Sequence, residues 1–126
     1  MNLDGNQLNG SFPFSLNQLT ILSTLYLNNN KINCPISPVF GTLSKLTHLQ
    51  MYQNPLNCLP ECFGSLTSLN TLYLQNCQLN GSIPSTYSYM TNLQNLYMQS
   101  NYLSNIFDSI LNLPTSLRSL TISSNH

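Results

Sequence analysis

Apolar residues recur along this chain at fixed offsets. Leu22, Leu46, Leu69, Leu93 and Leu117 each open the same pattern, at spacings of 24, 23, 24 and 24 residues. The first, fourth, sixth and eleventh places are apolar: Leu22, Leu25, Leu27 and Ile32, then Leu46, Leu49, Met51 and Leu56, then Leu69, Leu72, Leu74 and Leu79, then Leu93, Leu96, Met98 and Leu103. The ninth place holds Asn30, Asn54, Cys77 and Asn101. Partial copies, Met1-Leu3-Asn6-Leu8 and Leu117-Leu120-Ile122-Asn125, carry the repeat to both termini. A repeat this regular organises residues 1–126 as one domain of about five rungs, with partial rungs at 1–21 and 117–126, rather than as unrelated segments.

Within each copy two apolar residues flank one polar residue, the period-two pattern of a strand with one buried face. Strands are predicted near 24–28, 48–52, 71–75, 95–99 and 119–123, with Leu25 and Leu27 inward and Tyr26 outward. Every rung runs the same path in the same direction, so neighbouring strands must pair in parallel. The Asn of the ninth place suits the strand-exit turn, because its side chain bonds backbone groups that would otherwise be buried unpaired. Phe12, Ile36, Ile83 and Phe107, together with Phe40, Phe63, Tyr87 and Leu111, are expected to close the core from the opposite side.

This pattern, L-x-x-L-x-L-x-x-N-x-L, resembles the leucine-rich repeat family over essentially the whole chain. Leu8-Asn9-Gly10-Ser11-Phe12-Pro13 and Leu79-Asn80-Gly81-Ser82-Ile83-Pro84 are similar to the L-x-G-x-I-P signature of its plant-type, extracellular subclass. Other rungs depart from it: Cys34 and Cys58 stand at the Gly place, Ser37 and Asp108 replace Pro, and Leu111-Asn112-Leu113-Pro114 slips by one residue. The resemblance implies a β-rich α/β-type solenoid, a right-handed coil with a short parallel concave sheet, an irregular or 3₁₀ convex side and no evident caps.

Composition sharpens this picture. Asn, Ser, Thr and Gln supply 54 of the 126 residues, whereas three Lys plus Arg balance three Asp plus Glu. The chain therefore lacks the basic footprint of a nucleic-acid or anionic-membrane binder. With 24 Leu and 41% apolar residues it still has the material for a core, and with no Ala it is poor in helix formers. No apolar run reaches the length of a bilayer-spanning helix, and the first residues do not begin a signal peptide.

Candidate chemistry is sparse. His48, His126, Glu61, Asp4 and Asp108 fall at separate places in the repeat, which predicts a protein that is not an enzyme. Cys58 and Cys62 make no convincing metal pair, so neither metal nor cofactor is expected. Cys34 and Cys58 occupy the same place on adjacent rungs, about one strand spacing of ~4.8 Å apart, which suits a disulfide. Cys62 is a rival partner on the same loop, and Cys77 reads as a small buried thiol. The even count fits an oxidising compartment. Asn9-Gly10-Ser11 and Asn80-Gly81-Ser82 are glycosylation sequons, no more numerous than chance supplies in so Asn-rich a chain.

The outward strand places carry the functional expectation. Tyr26, Tyr52, Tyr73 and Tyr97 form a stripe among His48, Gln50, Gln75 and Gln99, with Tyr73 beside Tyr97. Rigid aromatic faces ringed by amides suit a protein, peptide or glycan ligand. The leading expectation is an extracellular or cell-surface recognition module that uses its concave face. A structural unit assembling through uncapped ends is the alternative. A hydroxyl column, Thr20, Ser44, Thr67, Thr91 and Thr115, raises ice binding as a third, though the family places Thr or Ser there for turn formation.

Overall fold

A computed structural model describes residues 1–125; His126 lies outside the described residues. Seven short strands form two parallel sheets. The larger contains β1 (Thr24–Tyr26), β2 (His48–Gln50), β3 (Thr71–Tyr73), β5 (Asn95–Tyr97) and β7 (Ser119–Thr121), in that spatial order. The smaller pairs β4 (Asn80–Gly81) with β6 (Tyr102–Leu103). An isolated parallel bridge from Asn2 to Tyr26 adds the first rung to the large sheet.

Register follows the repeat. Leu25, Leu49, Leu72, Leu96 and Leu120 are aligned across the five strands, and all but Leu120 are fully buried. The strands are shorter than the predicted five residues. The reason is the exit turn: Asn29, Gln53, Asn76, Ser100 and Ser124 all adopt positive φ, between 53° and 59°. Backbone pairing nonetheless continues past the strand ends, with the Leu27 amide donating to Gln50 and the Asn29 amide to Tyr52.

The asparagine ladder fastens these turns. Asn54 donates from Nδ2 to the carbonyls of Leu27 and Met51, both at 2.9 Å, while its Oδ1 accepts the Ile32 amide at 3.0 Å. Asn30, Asn101 and Asn125 repeat the arrangement, each tying its own rung to the one before. Buried amides that would otherwise be orphaned are paired, so the side chain that interrupts each strand also binds consecutive rungs.

The convex side is a row of 3₁₀ turns at Phe14–Gln18, Pro38–Thr42, Glu61–Ser65 and Ser85–Tyr89. Phe40, Phe63 and Tyr87 point from them into the core and are fully buried. Phe107 and Leu111 do not follow: they are 93% and 83% exposed. In this last rung Asn105, at φ 52°, starts a helical turn, α1 (Ile106–Ser109), early, and Asp108 cannot delay it as the extended prolines 13, 60 and 84 do. Ile106 and Leu113 pack against the core in their place.

Candidate functional site: the concave face

The large sheet presents its outward residues in rows, one residue per strand. The central row reads Tyr26, Gln50, Tyr73, Tyr97 and Thr121. One step toward the strand starts lie Thr24, His48, Thr71, Asn95 and Ser119. Because side chains alternate, the next outward places beyond the central row are Asn28, Tyr52, Gln75 and Gln99.

Tyr73 and Tyr97 are stacked, with ring centroids 4.7 Å apart and planes 9° from parallel. That separation matches the roughly 4.8 Å between neighbouring strands, so the two rings stand side by side across the sheet. Gln50 separates Tyr26 from Tyr73 and accepts a 3.0 Å hydrogen bond from the amide of Asn28 through Oε1. The Asn28 backbone amide in turn donates to Asp4 Oδ1. His48 is exposed, its Nδ1 2.9 Å from Thr47 Oγ1. The structure thus brings Tyr73, Tyr97, Gln50 and Tyr26 into one row and places Tyr52, Gln75 and Gln99 on its flank.

Among the described residues, three polar oxygens on this face lack partners. Asn28 Oδ1, Gln75 Oε1 and Gln99 Oε1 are buried and accept no hydrogen bond. The repeat gives no hint of this, because it depends on side-chain torsions rather than on register.

Away from the concave face, Cys34 and Cys58 form a disulfide with Cα atoms 6.1 Å apart. Cys62 stays free and half-buried, and burial pushes its thiol pKa up. Cys77 is buried in the ladder, where desolvation raises its pKa from 9.0 to about 11 despite backbone hydrogen bonds that lower it. Among the described residues no three His, Cys, Asp or Glu side chains converge as a metal site would require. No described helix is long and apolar enough to cross a membrane. Asn9 and Asn80 are exposed, as are Thr20, Ser44, Thr67, Thr91 and Thr115.

Models described as "Leucine rich repeat" match residues 36–79 and 22–43, the rungs whose register is set out above. The chain belongs to the leucine-rich-repeat family. Its rungs are of the plant extracellular type. Over 81 residues, 63% of its length, it is 36% identical to "Receptor-like kinase TMK2" of Arabidopsis thaliana, of which it covers 9%. A 43-residue stretch, 34% of the chain, is 51% identical to 4% of "Receptor-like protein 1" from the same plant. This leucine-rich-repeat chain therefore spans less than a tenth of the curated relatives it matches. Among solved structures it superposes with TM-score 0.83 and 34% identity on the ectodomain of the plant membrane receptor kinase GASSHO1/SCHENGEN3 from Arabidopsis thaliana, in complex with Casparian strip integrity factor 2. That match covers 98% of this chain and 15% of the other.

Proposed function

We propose that the chain is an extracellular recognition module, one domain over 1–126, whose concave face binds a protein, peptide or glycan ligand. The contacts fall on Tyr26, His48, Gln50, Tyr52, Tyr73, Gln75, Tyr97 and Gln99. The observation that carries this reading is the Tyr73–Tyr97 stack, set in a nearly uncharged strip of amides. A tyrosine freezes only two side-chain torsions and offers a large flat face, so it gains more on binding than the surrounding Ser and Asn. The similarity to a receptor ectodomain in complex with a partner supports the same use of the fold. Exposure of Asn9 and Asn80 is compatible with glycosylation in that compartment.

The test is a binding screen of neutral oligosaccharides and extended peptides against wild type and the Tyr73→Ala/Tyr97→Ala double variant. Truncating a central anchor costs about 1–3 kcal/mol of affinity, and binding changes little with salt because few charges are available to screen. Unchanged affinity in a folded double variant would move the site off this face.

An end-to-end assembly unit is the second reading, favoured by one observation. The first rung leaves an apolar cleft of about 250 Å³ lined by Met1, Leu3, Leu8, Phe12, Leu25 and Leu27. Light scattering over a concentration series distinguishes them, since a recognition module does not lengthen into polymers.

A further inference from the structure

Resting on the concave-face reading, we infer that the central subsite takes a pyranose ring of a neutral β-1,4-linked glycan, stacked on the free face of Tyr97 in the gap above Thr121. The argument starts from the geometry of the stack. The tyrosine planes are nearly parallel and their centroids are one strand spacing apart, so each ring looks along the row toward the next strand. One face of Tyr73 is covered by Tyr97, and on its other side the register partner is Gln50, whose side chain accepts from the amide of Asn28. The second face of Tyr97 looks toward Thr121, its register partner on β7. Threonine carries no ring to continue the stack, so the place beside Tyr97 is open to one further ring at the strand spacing.

Hydrogen bonding selects what fills it. Gln75 Oε1 and Gln99 Oε1 lie two residues beyond the stacked tyrosines on adjacent strands, both buried and both without a donor. The terminal amide torsion of glutamine is broad and two-fold. The two side chains occupy equivalent outward places on neighbouring strands, so a Gln99 amide turned with Nε2 toward Gln75 would leave its own oxygen for a ligand donor. Two buried acceptors without donors are costly to leave unmade, so a ligand rich in donors is favoured on this side of the stack.

Charge then separates the candidate donors. A guanidinium or ammonium group also favours a tyrosine face, but the places beside Tyr97 in the sheet, Tyr73, Asn95, Gln99 and Thr121, supply no carboxylate to pair with it. A peptide group offers a single N–H donor in a fixed direction to a face whose buried orphans are all acceptors. A pyranose with equatorial hydroxyls brings several rotatable O–H donors at its edge. Its flat C–H face meets the negative face of the aromatic ring. β-1,4 linkage keeps successive rings in one plane, so a chain stacked on Tyr97 runs across the row and stays within a slot one ring thick.

The experiment titrates the chain, labelled with ¹³C at tyrosine, with cellotetraose while following the ring signals. N-acetyl-argininamide and a neutral Gly-Ser tetrapeptide serve as comparison probes. The expected result is a saturable shift of Tyr97, with contacts between its ring and sugar C–H protons. Thr121→Tyr, which fills the gap with a third ring, weakens binding about tenfold or more, and Gln99→Leu about three- to tenfold. The inference is overturned by no saturable shift up to about 10 mM, by undiminished binding in both folded variants, or by either comparison probe binding Tyr97 as tightly as the sugar. Should the tetrapeptide win and Tyr73→Ala/Tyr97→Ala abolish its binding, the concave-face reading stands and only the glycan is lost. If the double variant binds every probe as wild type does, both fall.

Discussion

The amide of Leu56 donates to the carbonyl of Asn54 at 2.8 Å, closing a three-residue turn around Pro55. In other rungs the equivalent amide goes elsewhere: Ile32 donates to Asn54 Oδ1 and Leu79 to Asn101 Oδ1. Leu56 has no such acceptor because the next ladder place is Cys77. Proline suits the local solution, since its fixed φ matches an inverse γ-turn and it has no amide of its own to satisfy. The Cys77 thiol makes only weak bonds in the ladder, 3.2 Å to the Met51 carbonyl and 3.4 Å to that of Gln75. Cys77→Asn restores two stronger donors and is expected to stabilise the fold by about 1 kcal/mol, read as a higher denaturant midpoint. A lower midpoint would mean the Pro55 turn has made the site incompatible with an amide.

The same residue sets a pH dependence. Burial raises the Cys77 pKa from 9.0 to about 11. Below pH 9 both folded and unfolded chains keep the proton and nothing changes. Between 9 and 11 the unfolded thiol ionises first, so stability falls as pH rises through that window. At pH 10 the loss is roughly 1 kcal/mol. In a Cys62→Ser background, which removes the other free thiol, Cys77→Asn should flatten the fall in midpoint between pH 8 and 10.

Much of this architecture is legible in the sequence because it repeats. A spacing of 23 or 24 residues puts Leu25, Leu49 and Leu72 in one core row and Tyr73 beside Tyr97 in one outer row, without knowledge of any torsion. What the repeat does not encode is local. Phe107 and Leu111 stand at inward places, yet Asn105 starts the helix early and turns both to solvent. The unpaired oxygens of Gln75 and Gln99 depend on the end of a flexible side chain, and the Pro55 turn depends on a substitution one rung away.

The convex turns pack closely enough that two glycines are required there. A Cβ added at Gly64 would lie 2.5 Å from the Thr86 carbonyl oxygen, and one at Gly41 would lie 2.9 Å from that of Cys62. Both obstacles are backbone, so the rungs must separate to admit a methyl group. Gly64→Ala should destabilise by about 1–3 kcal/mol and Gly41→Ala by less. Equal midpoints for the two variants would show that the convex stack yields freely.

The Cys34–Cys58 bond closes a loop of one rung, a sequence separation of 24. Loop-closure entropy of that size corresponds to about 3 kcal/mol. The Cys34→Ser/Cys58→Ser variant should lose that much, while keeping its far-ultraviolet dichroism because the ladder and leucine core remain. Peptide mapping under non-reducing conditions gives an independent check: Cys62 and Cys77 should both be recovered as free thiols. A bridge between Cys34 and Cys62 would show that the loop after Cys58 rearranges.

Tyr87 supplies the last test, because it stands in the column of Phe40 and Phe63 yet carries a hydroxyl. All three rings are fully buried, and the Tyr87 hydroxyl has no hydrogen-bond partner. Burial, with a smaller contribution from Cys62 nearby, holds its pKa well above 10.0. A neutral hydroxyl taken from water without a partner is still costly, on the order of 1–3 kcal/mol. Tyr87→Phe removes that oxygen and keeps the ring that fills the column. It should therefore stabilise the chain by about 1 kcal/mol, the saving in desolvation less the small void left by the oxygen. Tyr87→Leu, which empties part of the column, should destabilise it. If Tyr87→Phe lowers the midpoint instead, the hydroxyl has a partner in solution, and an ordered water beside Cys62 would be the first place to look.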